Sequence, residues 1–356
     1  MNRQNILFAV FAAFLSLIAA ARPLPHYQPR PGHTRPLIAV LGYNGGTETT
    51  DYIVPYGILA ESGVADVVAL SNEPGPMQML PALRIRAQAT LAEFDSSHPG
   101  GADYVIVPNL NEGSDKPEIL QWVRTQSQRG ATIVGVCDGV VTVANAGLLD
   151  GRTATGHWHT IEMFEKKRPA TRWVRNRRYV ADGNVITTSG VTASIPISLA
   201  LIEAIAGPEH ARTVAARLHV ADWSDTHDSS EFHLGSSKVF TALANKFLHL
   251  NDQLGIRVAP GVDEISLALA TDAYSRTYRS LAFAVGDSTS SITTKHGLTL
   301  LPDRTAADAK HLRMLPPLDR LPAADALDCA LAGIRTQYGE TTAALVALQI
   351  EYPTGR

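Results

Sequence analysis

Short apolar runs alternating with stretches of helical spacing set the rhythm of this chain. The first compact run, Leu37-Ile38-Ala39-Val40-Leu41, reads as a buried strand. A Gly- and Thr-rich loop from Gly42 to Thr50 follows it, and Asp51 to Ser62 then shows helical spacing. Asp66–Leu70, Tyr104–Pro108 and Thr132–Val136 predict three further strands, with helices over Lys116–Arg129 and Val140–Leu149. Val185–Thr188 predicts a later strand, and Ser194–Ala206 a helix closed by Gly207-Pro208. Strands that are apolar throughout and alternate with helices imply a parallel sheet covered on both faces. The expected fold is α/β, a doubly wound and mostly parallel sheet.

Beyond a polar stretch from Asp222 to His233, the opening pattern returns. Ile256–Val258, Glu264–Ser275 and Leu281–Val285 repeat the strand–helix–strand order, and Gly261-Val262-Asp263-Glu264 falls where the opening unit has Gly46-Thr47-Glu48-Thr49. This reads as a partial internal repeat, a C-terminal α/β half-unit that lacks a second cysteine-bearing strand. Pro322–Ile350 is a final helical stretch, broken near Tyr338-Gly339. The expected divisions are residues 1–21, a linker over 22–36, a main domain over 37–210, a connecting loop and helix over 211–250, and the half-repeat with terminal helices over 251–356.

Composition adds little and excludes something. Of the 356 residues, 45% are hydrophobic and 18% charged, and the formal net charge is −3. No block of like charge suggests a polyanion-binding surface, so nucleic acid is not an expected partner. The N-terminus changes the picture more. One Arg precedes the apolar stretch Ile6–Ala21, which ends in Ala19-Ala20-Ala21 before Arg22-Pro23. That is the layout of a secretory signal cleaved after Ala21, and an uncleaved membrane anchor is the alternative. Either places the bulk of the protein outside the cytoplasm, periplasmic or secreted, with membrane contact only in the anchored case.

The two cysteines sit in different settings. Cys329 lies in a helical pattern that makes it look like a small buried apolar residue, which argues against a disulfide with Cys137. Cys137 instead ends an apolar strand in Gly135-Val136-Cys137-Asp138-Gly139 and opens a helix. A tight strand-to-helix turn lifts its side chain off the carboxyl edge of the sheet, and small neighbours permit the strained backbone. The helix that follows aims its N–H groups at the sulfur, which favours thiolate and could hold a developing oxyanion. A buried core cysteine is the bland alternative.

The stretch Gly135–Trp158, GVCDGVVTVANAGLLDGRTATGHW, closely resembles the ThiJ/PfpI superfamily within the class I glutamine-amidotransferase-like fold. It looks most like the variety found as the N-terminal domain of AraC-type regulators, and the resemblance runs on from Arg178 through Ala193. It covers roughly Pro36 to Gly207. The resemblance implies that Cys137 is the nucleophile, that Asp51 is the acid touching its sulfur, and that His157 is a proton carrier. Members often have Glu at the acid position; the isonitrile hydratases have Asp. A carboxyl group against a thiolate is expected to be protonated. Two departures stand out. The usual Pro-Gly-Gly is Pro108-Asn109-Leu110, which alters the backbone site for an oxyanion; Asp138, Asn109 and Leu110 are its candidate residues here. Asp138 also stands where other members carry His or Thr, which disfavours a Cys–His peptidase mechanism.

Other clusters have plainer readings. Asp225, His227, Asp228, Glu231 and His233 crowd one loop but match no metal-ligand spacing, so no metal and no cofactor is expected. His157 and His159 flank Trp158, where a strand would place both on one face. No helix-turn-helix with basic recognition residues is evident after Gly207. The expectation is cysteine-dependent hydratase or hydrolase chemistry on a small electrophilic substrate. The alternatives are a non-catalytic ligand-sensing or interaction module and a redox-sensing thiol; a homodimer is implied by the resemblance alone.

Overall fold

The computed structural model describes residues 24–30, 35–249, 251–318 and 321–353. The segment read as a signal or anchor lies outside them. Leu24 to Arg30, within the expected linker, lies against the main domain: the Tyr27 N–H donates to the Ala204 carbonyl at 2.9 Å and Arg30 pairs with Asp103 at 2.8 Å.

The first unit runs β1 (Leu37–Val40), β2 (Thr47–Glu48), α1 (Thr49–Ser62), β3 (Asp66–Ser71), β4 (Pro76–Leu80), β5 (Arg84–Arg86), β6 (Ala89–Thr90), α2 (Leu91–Ser97) and β7 (Tyr104–Val107). It continues through α3 (Pro117–Gln128), β8 (Thr132–Gly135), α4 (Gly139–Asn145), β9 (Thr153–Ala154), α5 (Trp158–Lys167), β10 (Arg172–Trp173), β11 (Tyr179–Asp182), β12 (Val185–Thr188), α6 (Ser194–Ala206) and α7 (Pro208–Arg217). Its seven-stranded sheet has the order β11-β12-β8-β7-β1-β3-β6, parallel apart from β11. β1, β7 and β8 are buried along nearly their whole length, as their apolar runs require.

α8 (Ser236–Leu248) leads to the second unit: β13 (Asp252–Arg257), α9 (Glu264–Ser275), β14 (Ser280–Gly286), β15 (Ile292–Thr293), β16 (Thr299–Leu300), β17 (Arg304–Thr305), β18 (Arg313–Met314), α10 (Ala323–Tyr338) and α11 (Glu340–Ile350). Its sheet has the order β17-β14-β13-β18. That is the order β6-β3-β1-β7 of the first unit, and again every neighbour is parallel. Hairpin β15–β16 takes the place of hairpin β4–β5, and the two hairpins join edge to edge through antiparallel β16 and β5. α10 and α11 meet at Gly339 (φ 88°, ψ 165°) as α6 and α7 meet at Gly207 (φ 86°, ψ 167°). The half-repeat is therefore a second copy from which the stretch equivalent to α3 through β12 is missing.

The two copies share one core. α1 packs against α6 on one side and α9 on the other, and a Cβ on Gly57 would lie 2.5 Å from Ile265 of α9. Tyr52, Ile58, Ile265 and Leu269 belong to a single buried cluster. α8, by contrast, turns Phe240 and Phe247, each 71% exposed, outward. No helix among the described residues is long and apolar enough to cross a membrane.

Two expectations are corrected. Cys329 is exposed, because the buried stripe of α10 runs through Ala323, Ala326, Leu327 and Ala330 on the opposite side. Trp158 and His159 begin a helix rather than sit in a strand, with His157 as its cap.

Candidate active site

Cys137 occupies the turn between β8 and α4. The Val136 N–H still belongs to the sheet, donating to Val107 O at 2.9 Å, and Gly139 N–H already turns back to Val136 O at 2.7 Å. Between them Cys137 sits at φ +53°, left-handed backbone that a residue with a side chain adopts at a cost of about 1–3 kcal/mol. Two contacts hold it there. Its N–H donates to Thr188 Oγ1 at 3.0 Å, and Gly139 lies so close to β7 that a Cβ would fall 1.9 Å from Val107 O. The thiol is buried, with 4% of the residue exposed.

α1 supplies the acid. Glu48 caps this helix: its carboxylate accepts the Asp51 N–H at 2.5 Å and the Thr50 hydroxyl at 2.9 Å. Asp51, in the first turn, is fully buried. Its Oδ2 accepts the Asn109 N–H at 3.2 Å, and its Oδ1 has no hydrogen-bond partner among the described residues. Burial first, then the neighbouring Glu48 carboxylate, pushes Asp51 well above the ordinary carboxylate range. Asp51 therefore keeps its proton to a higher pH than an exposed carboxyl group does.

The thiol is also held neutral. Burial first, then the Asp51, Asp138, Glu48 and Glu351 carboxyl groups, push Cys137 well above the ordinary thiol value. This reverses the thiolate expected from the helix N-terminus. α4 is only seven residues long, and the surrounding carboxylates and the loss of water outweigh its dipole.

The remaining candidates are placed as follows. His157 caps α5, with Nδ1 3.4 Å from the His159 N–H and Nε2 3.2 Å from the Gln349 carbonyl, so in this state the ring faces the C-terminal segment. Asp138 accepts a short hydrogen bond from Thr160 Oγ1. The Asn109 N–H is committed to Asp51. The Asp138 and Leu110 N–H groups find no acceptor among the described residues and are the donors left for an oxyanion. The polar loop after Asp222 does not gather its acids and histidines: Asp225 pairs with Arg177 at 2.9 Å, and His227 Nε2 lies 3.0 Å from Glu351 Oε2. No group of three or more metal-ligating side chains occurs among the described residues.

Four site residues escaped the sequence reading: Glu48, Arg276, Gln349 and Glu351. Glu48 had a local signal, an acidic residue immediately before a helix. The other three come from the second unit and had none. Arg276 Nη2 pairs with Glu48 Oε1 at 2.5 Å and its Nε with Asp272 at 2.8 Å. Glu351, 2% exposed, accepts the Trp158 N–H at 2.7 Å.

The DJ-1/PfpI family matches residues 38–204. The HTH-type transcriptional regulator CdhR of Pseudomonas aeruginosa is 41% identical over 99 residues, which are 28% of this chain and 29% of the regulator. The isonitrile hydratase of Pseudomonas putida is 27% identical over 175 residues, 48% of this chain and 73% of that enzyme. The Parkinson disease protein 7 homolog of Danio rerio is 26% identical over 182 residues, 50% and 94% of the two chains. Among solved structures, Drosophila melanogaster DJ-1beta covers 53% of this chain with all of its own at 23% identity, with a TM-score of 0.47. This chain therefore spans under a third of the regulator's length, and residues 38–204 are a DJ-1/PfpI (ThiJ) domain.

Proposed function

We propose that the domain is a cysteine-dependent hydratase or hydrolase for a small electrophilic substrate, with Cys137 as nucleophile. The observation that carries this reading is the strained φ of Cys137 at the strand tip, combined with the buried Asp51 carboxyl group, whose Oδ1 has no hydrogen-bond partner among the described residues. Strain of this kind persists only where the surroundings impose it.

An isonitrile-type carbon suits the arrangement, in keeping with the relative that bears that name. The Cys137 sulfur bonds to the terminal carbon. Asp51 gives its acid proton to that carbon and takes up the thiol proton in exchange, leaving a thioimidate. Water then adds across the carbon–nitrogen double bond, with His157 passing on its proton. The carbon–sulfur bond breaks, the thiol regains a proton, and an N-substituted formamide leaves. The Asp138 and Leu110 N–H groups stabilise the charge that develops on oxygen during this second stage.

The closed state favours a second reading, a ligand-sensing module that does not turn over. Cys137 is buried, and His157 is tied to Gln349. Turnover of a simple alkyl isonitrile, followed as formamide formation, separates the two. The enzyme reading expects formamide from the wild type and a loss of at least about 100-fold in Cys137→Ser and in Asp51→Asn. An isonitrile that binds without being converted leaves sensing in its place.

A further inference from the structure

The second copy carries no cysteine strand of its own, yet it faces the first copy helix to helix and hairpin to hairpin. What it delivers across that contact is Arg276, the residue that caps the C-terminal end of α9. Arg276 is paired on both sides, with Glu48 at 2.5 Å and with Asp272 at 2.8 Å. Its carbonyl accepts the Gln349 side-chain amide at 3.0 Å, and the Gln349 carbonyl lies 3.2 Å from His157 Nε2. One residue of the second copy thus reaches both proton-handling partners of Cys137, Asp51 through Glu48 and His157 through Gln349.

This is no leftover of symmetry. Glu48 caps α1 as Asp263 caps α9, and the residue at the same distance beyond the first cap is Glu61. Glu61 carries the opposite charge and faces Lys295 at 3.6 Å. Among the described residues, only the second copy places a cation against its partner's cap.

Deepening the nucleophile reading, on which it rests, we propose that the C-terminal unit is a built-in partner and that its Arg276 is a positioning residue of the Cys137 site, holding the Glu48 carboxyl group at the cap of α1 beside Asp51. Two carboxyl groups this close in a dry site do not both ionise, and a buried guanidinium decides which one does. Arg276 stays charged because, although burial opposes it, Asp272 and Glu48 outweigh that cost. Asp51 is thereby left as the proton carrier, and the guanidinium offsets part of the negative field that Glu48, Asp138 and Glu351 direct at the sulfur. Asp272, which burial pushes up to about 7, completes the set of ionisable groups around Arg276.

The test is the thiolate ultraviolet absorbance of Cys137 across pH in the full chain, with Cys137→Ser as the blank. Arg276→Met is expected to cut the thiolate present at a fixed alkaline pH about tenfold, and Arg276→Lys to restore most of it. Glu48→Gln should increase the thiolate, and Arg276→Met with Glu48→Gln together should return close to wild type, since both charges are gone. A purely structural arginine would not give that recovery. If Arg276→Met does not fold, the lysine variant and the double variant decide. The proposal is overturned if folded Arg276→Met titrates as wild type, if the double variant is as displaced as the single one, or if no variant shows a Cys137 thiolate. Failure of the nucleophile reading looks different: the thiolate still answers to Arg276, but no isonitrile is converted.

Discussion

Two buried carboxyl groups near Cys137 are pushed in opposite directions, and each leaves its own mark on stability. Asp51 is raised, so the stability it contributes is fully present below its unfolded value of roughly 3.9 and is lost as pH rises through its folded one. Asp51→Asn keeps an acceptor for the Asn109 N–H and removes that loss. Chemical denaturation should find the variant more stable than wild type at neutral and alkaline pH; a variant that is equally pH-sensitive contradicts an Asp51 raised by burial. Glu351 behaves in reverse. Burial alone would raise it, but His227, His157 and the Trp158 N–H hold it below the ordinary carboxylate range. Its contribution is present above its unfolded value of roughly 4.3 and is lost as pH falls through the folded one. Glu351→Gln should flatten the acid limb of the stability profile, and an unchanged limb would assign acid sensitivity elsewhere. At this scale the resemblance named Cys137, Asp51 and His157 as candidates. It could not expose Arg276 or Glu351, because nothing local distinguishes an arginine at a helix end or a glutamate near a terminus from a solvated one.

The elements around the cysteine fix its backbone. Gly139 begins α4 against the carbonyl of Val107, so Gly139→Ala has to push β7 and the cysteine turn apart. The expected cost is roughly 3 kcal/mol in urea unfolding, with loss of activity; a cost under about 1 kcal/mol would mean that the turn is softer than described. Legibility at this scale followed length and periodicity. Ser194–Ala206 and Glu264–Ser275 were readable to the residue, and the strands Leu37–Val40, Asp66–Ser71, Tyr104–Val107 and Thr132–Gly135 to within one, because apolar runs of this kind have few solutions. α4 stops at Asn145 rather than Leu149, since the chain turns left-handed at Gly147 (φ 75°). The hairpins β4–β5 and β15–β16 escaped because their strands are too short to show a period. The thiol's protonation was misjudged because burial, the largest influence on it, comes only with folding, as do the Glu48 and Glu351 carboxyl groups; Asp51 and Asp138 were already legible beside it.

As a whole, the molecule is one and a half copies of a domain around a shared core, and the half copy closes the site of the complete one. The repeat was legible as strand–helix–strand grammar; its function as a partner was not, since that depends on how α1 and α9 meet. Gly57 sets their approach against Ile265. Gly57→Leu should lower stability by about 3 kcal/mol and do so in a single transition that takes both units together, seen in the same melting curve by tryptophan fluorescence and circular dichroism. Separate transitions would show that the second unit is only appended. The central claim, a Cys137 whose reactivity is governed by Asp51 inside a closed site, is tested most directly by site-resolved iodoacetamide alkylation across pH in wild type and Asp51→Asn, with exposed Cys329 as the internal reference. The wild-type Cys137 midpoint should lie above the ordinary thiol value of roughly 8.5, with a lower midpoint in Asp51→Asn and a Cys329 profile that does not move. Superimposed Cys137 profiles in the two proteins, or a Cys137 that never reacts while Cys329 does, would contradict it.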